Sequence, residues 1–196
     1  RFRRTTAALM LSCCAVAVTS CAVDDGPTTQ QVIVGSGTAV QSELVADIYA
    51  SALRRAGADV PAVVKVGDRT STLAALDAGR VTLVPETTGA LLTYLNPTAE
   101  DTEPDDVFVA VNKALPEGLS VSDYSMAEIE GASDDGPAQN IFPLFRKGSL
   151  TDDQVKKLNI VAGELTTADL TDLTGKVRAG GASIEVARGW LDEREI

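Results

Sequence analysis

The chain predicts an α/β fold, a mostly parallel sheet flanked by helices, and three observations point to it. Short β-rich runs alternate with longer segments of three- and four-residue apolar spacing, in the order strand, helix, strand, helix, strand. That order favours parallel strands joined by helical crossovers. Glycine and proline punctuate the ends of the segments. Leu, Val, Ile and Ala are plentiful enough for a real core, and 196 residues suit one compact domain.

QVIVGS at 31–36 is the first strand, stopped by Gly35 and Gly37. Thr38-x-x-Gln41 has the spacing of a capping box, in which hydroxyl and amide satisfy helix N–H groups. Leu44, Val45, Ile48, Tyr49, Ala52 and Leu53 then mark an amphipathic helix through Ala56, ended by Gly57. AVVKV at 62–66 is a second strand. Asp68 to Ala78 reads as a helix with Leu73 and Leu76 inward, and Val81 to Val84 as a third strand cut off by Pro85. A short helix over Gly89–Leu95 and a longer one from Pro104, carrying Val107, Phe108, Val111 and Leu115, precede a brief strand at Leu119–Val121. Residues 124–140 are polar, acidic and glycine-containing and read as a loop. IFPLF at 141–145 is a strand in which Pro143 weakens a central position. Three helices follow: Thr151–Ala162, Thr167–Arg178 and Ser183–Glu193, with Thr151 and Ser183 as N-caps. Tyr49 falls on an apolar helical face, Trp190 reads as the anchor of the last helix, and Tyr94 and Tyr124 lie near loops.

The first twenty residues have another composition. Arg1, Arg3 and Arg4 precede an uncharged stretch from Thr5 to Ser20, and VTSC ends at Cys21 before the acidic AVDDGPTTQQ. A basic start, a short apolar stretch and small residues before a cut are features of an export signal. The stretch falls short of a comfortable membrane span of about 20 apolar residues. VTSC resembles the lipobox of bacterial lipoproteins, which implies cleavage before Cys21 and lipidation of that cysteine, with more than one acyl chain needed for stable anchoring. The alternatives are an ordinary secretory signal with an incidental cysteine, or an uncleaved anchor. The expected organisation is a signal peptide over 1–20, a flexible tether over 21–31 and the α/β domain over 32–196, in a protein exported and lipid-anchored at the outer face of the cytoplasmic membrane.

Composition excludes several functions. Loss of three positive charges with the leader would take the formal net charge from −11 to −14, a surface that disfavours nucleic acid and anionic headgroups. Histidine is absent and Cys21 would be the one cysteine left after cleavage. His-based triads, imidazole zinc sites and cysteine pairs therefore drop out. GSGTA at 35–39 lacks the glycine spacing of a dinucleotide loop, no Walker lysine follows, and no EF-hand spacing is present. No enzyme, metal or cofactor is expected.

VIVGSGTAVQSELVADIYASALRRAG at 32–57 and TSTLAALDAGRVTLVPETTGALLTYL at 70–95 carry a resemblance, continued from about Asn140 to Trp190 through LTTADLTDLTGKV at 165–177. The three stretches, in this order, resemble the substrate-binding proteins of quaternary-amine ABC transporters, the glycine betaine, choline and carnitine binders. The resemblance implies a type-II-like periplasmic binding protein fold, in which two α/β lobes close over a cation. Leu119-Ser120-Val121 resembles the strand that crosses to the second lobe, and ASDDGPAQNIFPLFRKG at 132–148 resembles the return from it. The short stretch between them is too small for a lobe, so a single lobe is expected. The pocket departs as well. Quaternary ammonium is bound chiefly by aromatic faces, but this chain has Thr87 where the family commonly has an aromatic after Pro-Glu, and Ala39 where another is expected.

Two groups of residues are candidates for ligand contact. Ser36, Gly37, Thr38 and Gln41 sit at a strand-to-helix junction, where backbone N–H groups suit a small anion or carboxylate; alternatively Thr38 and Gln41 simply cap the helix. Glu86, Thr87 and Thr88 follow the third strand at the carboxyl edge where α/β proteins bind ligands; a capped turn is the alternative. The resemblance implies a solute-binding component of an osmoprotectant transporter, with a quaternary-amine ligand and an ABC permease as partners. The other expectation is a degenerate lobe that serves as an interaction module for an envelope protein, using an exposed patch to which residues 141–145 contribute.

Overall fold

The computed structural model describes residues 31–132 and 136–196. The leader, Cys21 and the tether as far as residue 30 lie outside the described residues. Twelve elements follow in order: β1 (Gly35–Gly37), α1 (Val40–Arg55), β2 (Val64–Gly67), α2 (Arg69–Asp77), β3 (Leu83–Thr87), α3 (Thr88–Leu95), α4 (Pro104–Ala114), β4 (Leu119–Val121), β5 (Ile141–Arg146), α5 (Asp152–Glu164), α6 (Thr167–Arg178) and α7 (Ser183–Glu193). Among the described residues no helix is long and apolar enough to cross a membrane.

β1 and β2 pair in parallel, and a parallel bridge from Val34 to Leu83 joins them to β3. β5 lies between β3 and β4 and is antiparallel to both. The strand order is therefore β2-β1-β3-β5-β4, with four strands running one way and β5 the other. The predicted α/β class and the mostly parallel strand direction hold, and β5 is the exception.

Helices cover both faces because the strands send alternate side chains to opposite sides. Leu83, Ile141 and Phe145 join α1, α5, α6 and α7 in one cluster of buried residues, around Leu44, Ile48, Leu158, Leu170 and Trp190. Val84, Phe142 and Leu144 point the other way and pack with α2, α3 and α4 through Leu76, Leu91, Val107 and Val111. Each fully buried Leu or Phe contributes about 1.5–3 kcal/mol, so both layers hold the sheet. α1 is enclosed by α5, α6 and α7 and is buried at every position from Leu44 to Leu53. Tyr49 is a core residue, and Trp190 is 2% exposed with the Arg194 guanidinium 4.7 Å from its ring centroid.

Several local expectations are corrected. β3 runs through Pro85, and Pro143 stands directly opposite it in β5. Arg146 N–H donates to Thr82 O and Thr88 N–H to Asn140 O, so the residues between alternate in hydrogen-bonding role. The two prolines consequently share a non-hydrogen-bonded position, and neither removes a β3–β5 ladder bond. Pro143 does lack the N–H that a further β4 residue would need, and β4 stops at Val121. β1 contains the glycines that were expected to stop it. A Cβ on Gly35 would lie 3.0 Å from Val66 Cγ2 and Val81 Cγ1, so close packing against neighbouring strands demands glycine there. Finally, α7 is capped by Ala182 without a side-chain bond, leaving Ser183 inside the first turn. α5 has the expected Thr151 cap, completed by Gln154 as a capping box.

Candidate functional site

A cleft of about 370 Å³ opens at the carboxyl end of the parallel strands. Gly37, Gly67 and Thr87, the last residues of β1, β2 and β3, all line it. The chain turns into α1, α2 and α3 at these points, so helix N-termini meet strand ends at the cleft, where α/β sheets hold ligands.

The wall from α1 consists of Ala39, Gln41, Ser42 and Val45. The capping box expected from Thr38 and Gln41 is not formed, because α1 begins at Val40 and its N-cap is Ala39, which supplies no side-chain bond. Thr38 is thereby displaced out of the cap position. Ser42 Oγ instead accepts from Gly37 N–H at 2.8 Å. Gln41 is free to reach across the cleft, and its Oε1 accepts from Glu130 N–H at 3.3 Å. Its Nε2 is shielded from solvent and has no partner among the described residues.

The floor is set by an ion pair. Glu86, 8% exposed, accepts from Arg69 Nε at 2.9 Å and Nη2 at 3.0 Å, and its Oε2 also accepts from Thr87 N–H at 2.9 Å. Bidentate pairing of this kind fixes both side chains. Thr87 Oγ1 is a second shielded group without a partner among the described residues. Asp68 caps α2 through Ser71 N–H, which positions the adjacent Arg69; that bond holds the Asp68 carboxyl below its ordinary range.

The outer wall is the stretch that precedes β5. Ile129 and Glu130 line the cleft, carried by a strap anchored at several points. Ser125 N–H donates to Ile141 O, Ile141 N–H to Ala127 O, and Glu128 N–H to Thr167 Oγ1. Glu130 receives both Arg178 nitrogens, at 3.0 and 2.7 Å. The Arg178 hydrogen bonds keep the Glu130 carboxyl below its usual range.

Of the residues singled out in sequence, Gly37, Gln41, Glu86 and Thr87 are brought together in this cleft. Ser36 is fully buried beside it, and Thr38 lies outside its lining. The Thr88 hydroxyl donates to Ala138 O and accepts from Asn140 N–H, so it ties the strap to α3 instead of facing the cleft. Arg69, Ser42 and Glu130 were not anticipated. Arg69 was findable as the residue after a helix cap; Glu130 carried no signal, since it falls in an irregular acidic stretch. Tyr124 is engaged elsewhere. Its hydroxyl donates to Asp105, which pushes its pKa up to about 12, and its ring lies 5.0 Å from that of Phe108. No aromatic side chain lines the cleft among the described residues, and these hold no cluster of three metal-ligating side chains.

No curated protein matches the sequence. Among solved structures, apo YehZ from Escherichia coli is similar with a TM-score of 0.74 at 13% identity, covering 84% of this chain and 98% of that one. A structure titled as a glycine betaine/carnitine/choline ABC transporter is similar with a TM-score of 0.70 at 10% identity, covering 84% of this chain and 99% of that one. These likenesses concern the fold, and they agree with the α/β architecture described above. The family described as the substrate binding domain of ABC-type glycine betaine transport systems, OpuAC, matches residues 30–134, more than half of the sequence. That span holds β1 to β4, the ends of all three parallel strands and the strap, and the chain belongs to this family.

Proposed function

We propose that the protein is an envelope lipoprotein, anchored through Cys21, that recognises a small solute in the cleft between α1, β3 and the strap on behalf of an ABC permease. The family is one of binding domains and not of enzymes. The observation that carries the assignment is the convergence of Gly37, Gly67 and Thr87 on one cleft, with Gln41 and Thr87 each offering a shielded polar atom that lacks a partner. Such atoms are costly to leave unsatisfied, by about 1–3 kcal/mol each, and a ligand relieves that cost.

The chain works as a single lobe in this proposal, with the strap that precedes β5 supplying the outer wall of the cleft through Ile129 and Glu130. The interaction-module reading expected an exposed patch to which residues 141–145 contribute. Ile141–Phe145 is instead buried core, so these residues contribute nothing to such a patch.

The test is calorimetric titration of the purified, detergent-solubilised protein with glycine betaine, choline, carnitine and their less methylated amine analogues. Saturable heat at near-unit stoichiometry with a Kd below about 100 μM is expected for at least one solute. Silence from a folded protein at two temperatures overturns solute capture.

A further inference from the structure

The cleft has the polar equipment of a hydrogen-bonding site and lacks that of a cation cage. A quaternary ammonium has no hydrogen to donate and is held chiefly against aromatic faces. The lining contains none. Phe142, Phe145, Tyr49 and Trp190 are core residues, Phe108 and Tyr124 pack on each other, and Tyr94 lies on the exposed side of α3. Outside the described residues the sequence has one aromatic, Phe2.

The groups that are present sort by role. Glu86 is largely committed, with three bonds accepted from Arg69 and Thr87. Glu130 is not. Each of its oxygens accepts one bond from Arg178, and a carboxylate oxygen has room for a second. It sits at the cleft rim with its backbone fixed to Gln41. On the donor side, Gln41 Nε2 and Thr87 Oγ1 are shielded and unpartnered among the described residues, and the first turn of α1 carries no side-chain cap. Arg69, Glu86 and Glu130 are the charged residues of the lining; Arg69 pairs with Glu86 and Arg178 with Glu130, so the charges at the cleft balance and suit a ligand that is itself neutral overall, a zwitterion.

We propose that the cleft takes a small zwitterion whose ammonium still carries N–H hydrogens, donated to Glu130, and whose carboxylate accepts from Gln41 and Thr87. It thus prefers primary, secondary or tertiary amines over the fully methylated head. This rests on the solute-capture function proposed above and specifies its substrate class. A site built around hydrogen bonds discriminates strongly against an analogue that lacks the donor, because its buried groups are then left unpaired.

The experiment uses the full chain in detergent and two series of zwitterions with constant charge. The first is glycine, N-methylglycine, N,N-dimethylglycine and glycine betaine; the second is 4-aminobutyrate and its trimethylated counterpart. Loss of the last N–H, at the step from dimethylglycine to glycine betaine or in the second pair, is expected to weaken binding at least about tenfold. Affinity that holds level or rises with the last methyl overturns this inference while leaving solute capture standing. Silence across both series, with the protein folded, overturns solute capture itself and the inference with it.

Discussion

Asp47 lies near the middle of α1, 8% exposed, with no salt bridge among the described residues. Burial pushes its carboxyl above the usual range; the Ser183 hydroxyl opposes this, Glu43 adds to it, and Arg54 and Arg188 pull it back. The sign of the consequence follows from linkage. With its folded pKa above the unfolded value, the folded state binds the proton more tightly, so Asp47 costs stability as pH rises from the ordinary carboxylate value through the folded one. Asp47→Asn should therefore raise the denaturation midpoint at pH 7. The advantage should shrink as pH falls through the folded pKa and vanish once both states are protonated. Urea melts of both proteins across that window measure it, and a variant less stable than the parent at pH 7 would contradict the account. Nothing in the spacing of α1 marked this residue. Leu44, Ile48 and Tyr49 announced one buried face, but α5, α6 and α7 enclose the helix so fully that a polar position is buried too.

At the scale of elements, the strap separates what local pattern can reveal from what it cannot. The described residues of 124–140 read correctly as irregular, because Gly, Asp and Ser compete with regular backbone pairing. Their path depends on partners far away in sequence: Gln41 for Glu130, Thr167 for Glu128 and Arg178 for the Glu130 carboxylate. No periodicity encodes such bonds, so half the candidate site stayed hidden while Gly37, Gln41, Glu86 and Thr87 were found from their strand-to-helix turns. The strap's return is pinned at α3, where Gly89 N–H donates to Ala138 O at 2.9 Å. A Cβ on Gly89 would lie 2.7 Å from Pro137 O and 2.8 Å from Ala138 O. These are backbone atoms that cannot swing aside as a side chain would. Gly89→Ala should therefore destabilise by at least the upper part of the about 1–3 kcal/mol typical of overpacking, and it should weaken any ligand bound between strap and sheet. A loss below about 0.5 kcal/mol, the range of ordinary surface changes, would mean that the strap is not seated as described.

For the whole molecule, fold class was readable because consecutive strand–helix units suffice to imply parallel strands. The insertion of β5 between β3 and β4 was not, since antiparallel return of a late strand is a long-range choice. Pro143 even pointed away from it, and only the pairing with Pro85 at a position needing no N–H makes it acceptable. The molecule's charge now bears on where it is held. The chain is strongly acidic, with a formal net charge of −11 that cleavage before Cys21 would take to −14, so electrostatics repel it from anionic lipid. In the lipoprotein proposed above, membrane retention would therefore come from acyl chains, which bind by burying methylenes at about 0.8 kcal/mol each. Two properties follow: retention should survive a high-salt wash, and it should depend on Cys21. On detergent phase separation of cell extracts, the parent protein should enter the detergent phase with the mass of a chain starting at Cys21 plus lipid. Cys21→Ala should be found in the aqueous phase or as an uncleaved precursor. A parent protein that partitions into the aqueous phase would mean secretion without an anchor. Salt-sensitive retention would instead require a basic surface, for which the charge balance of the domain leaves little room.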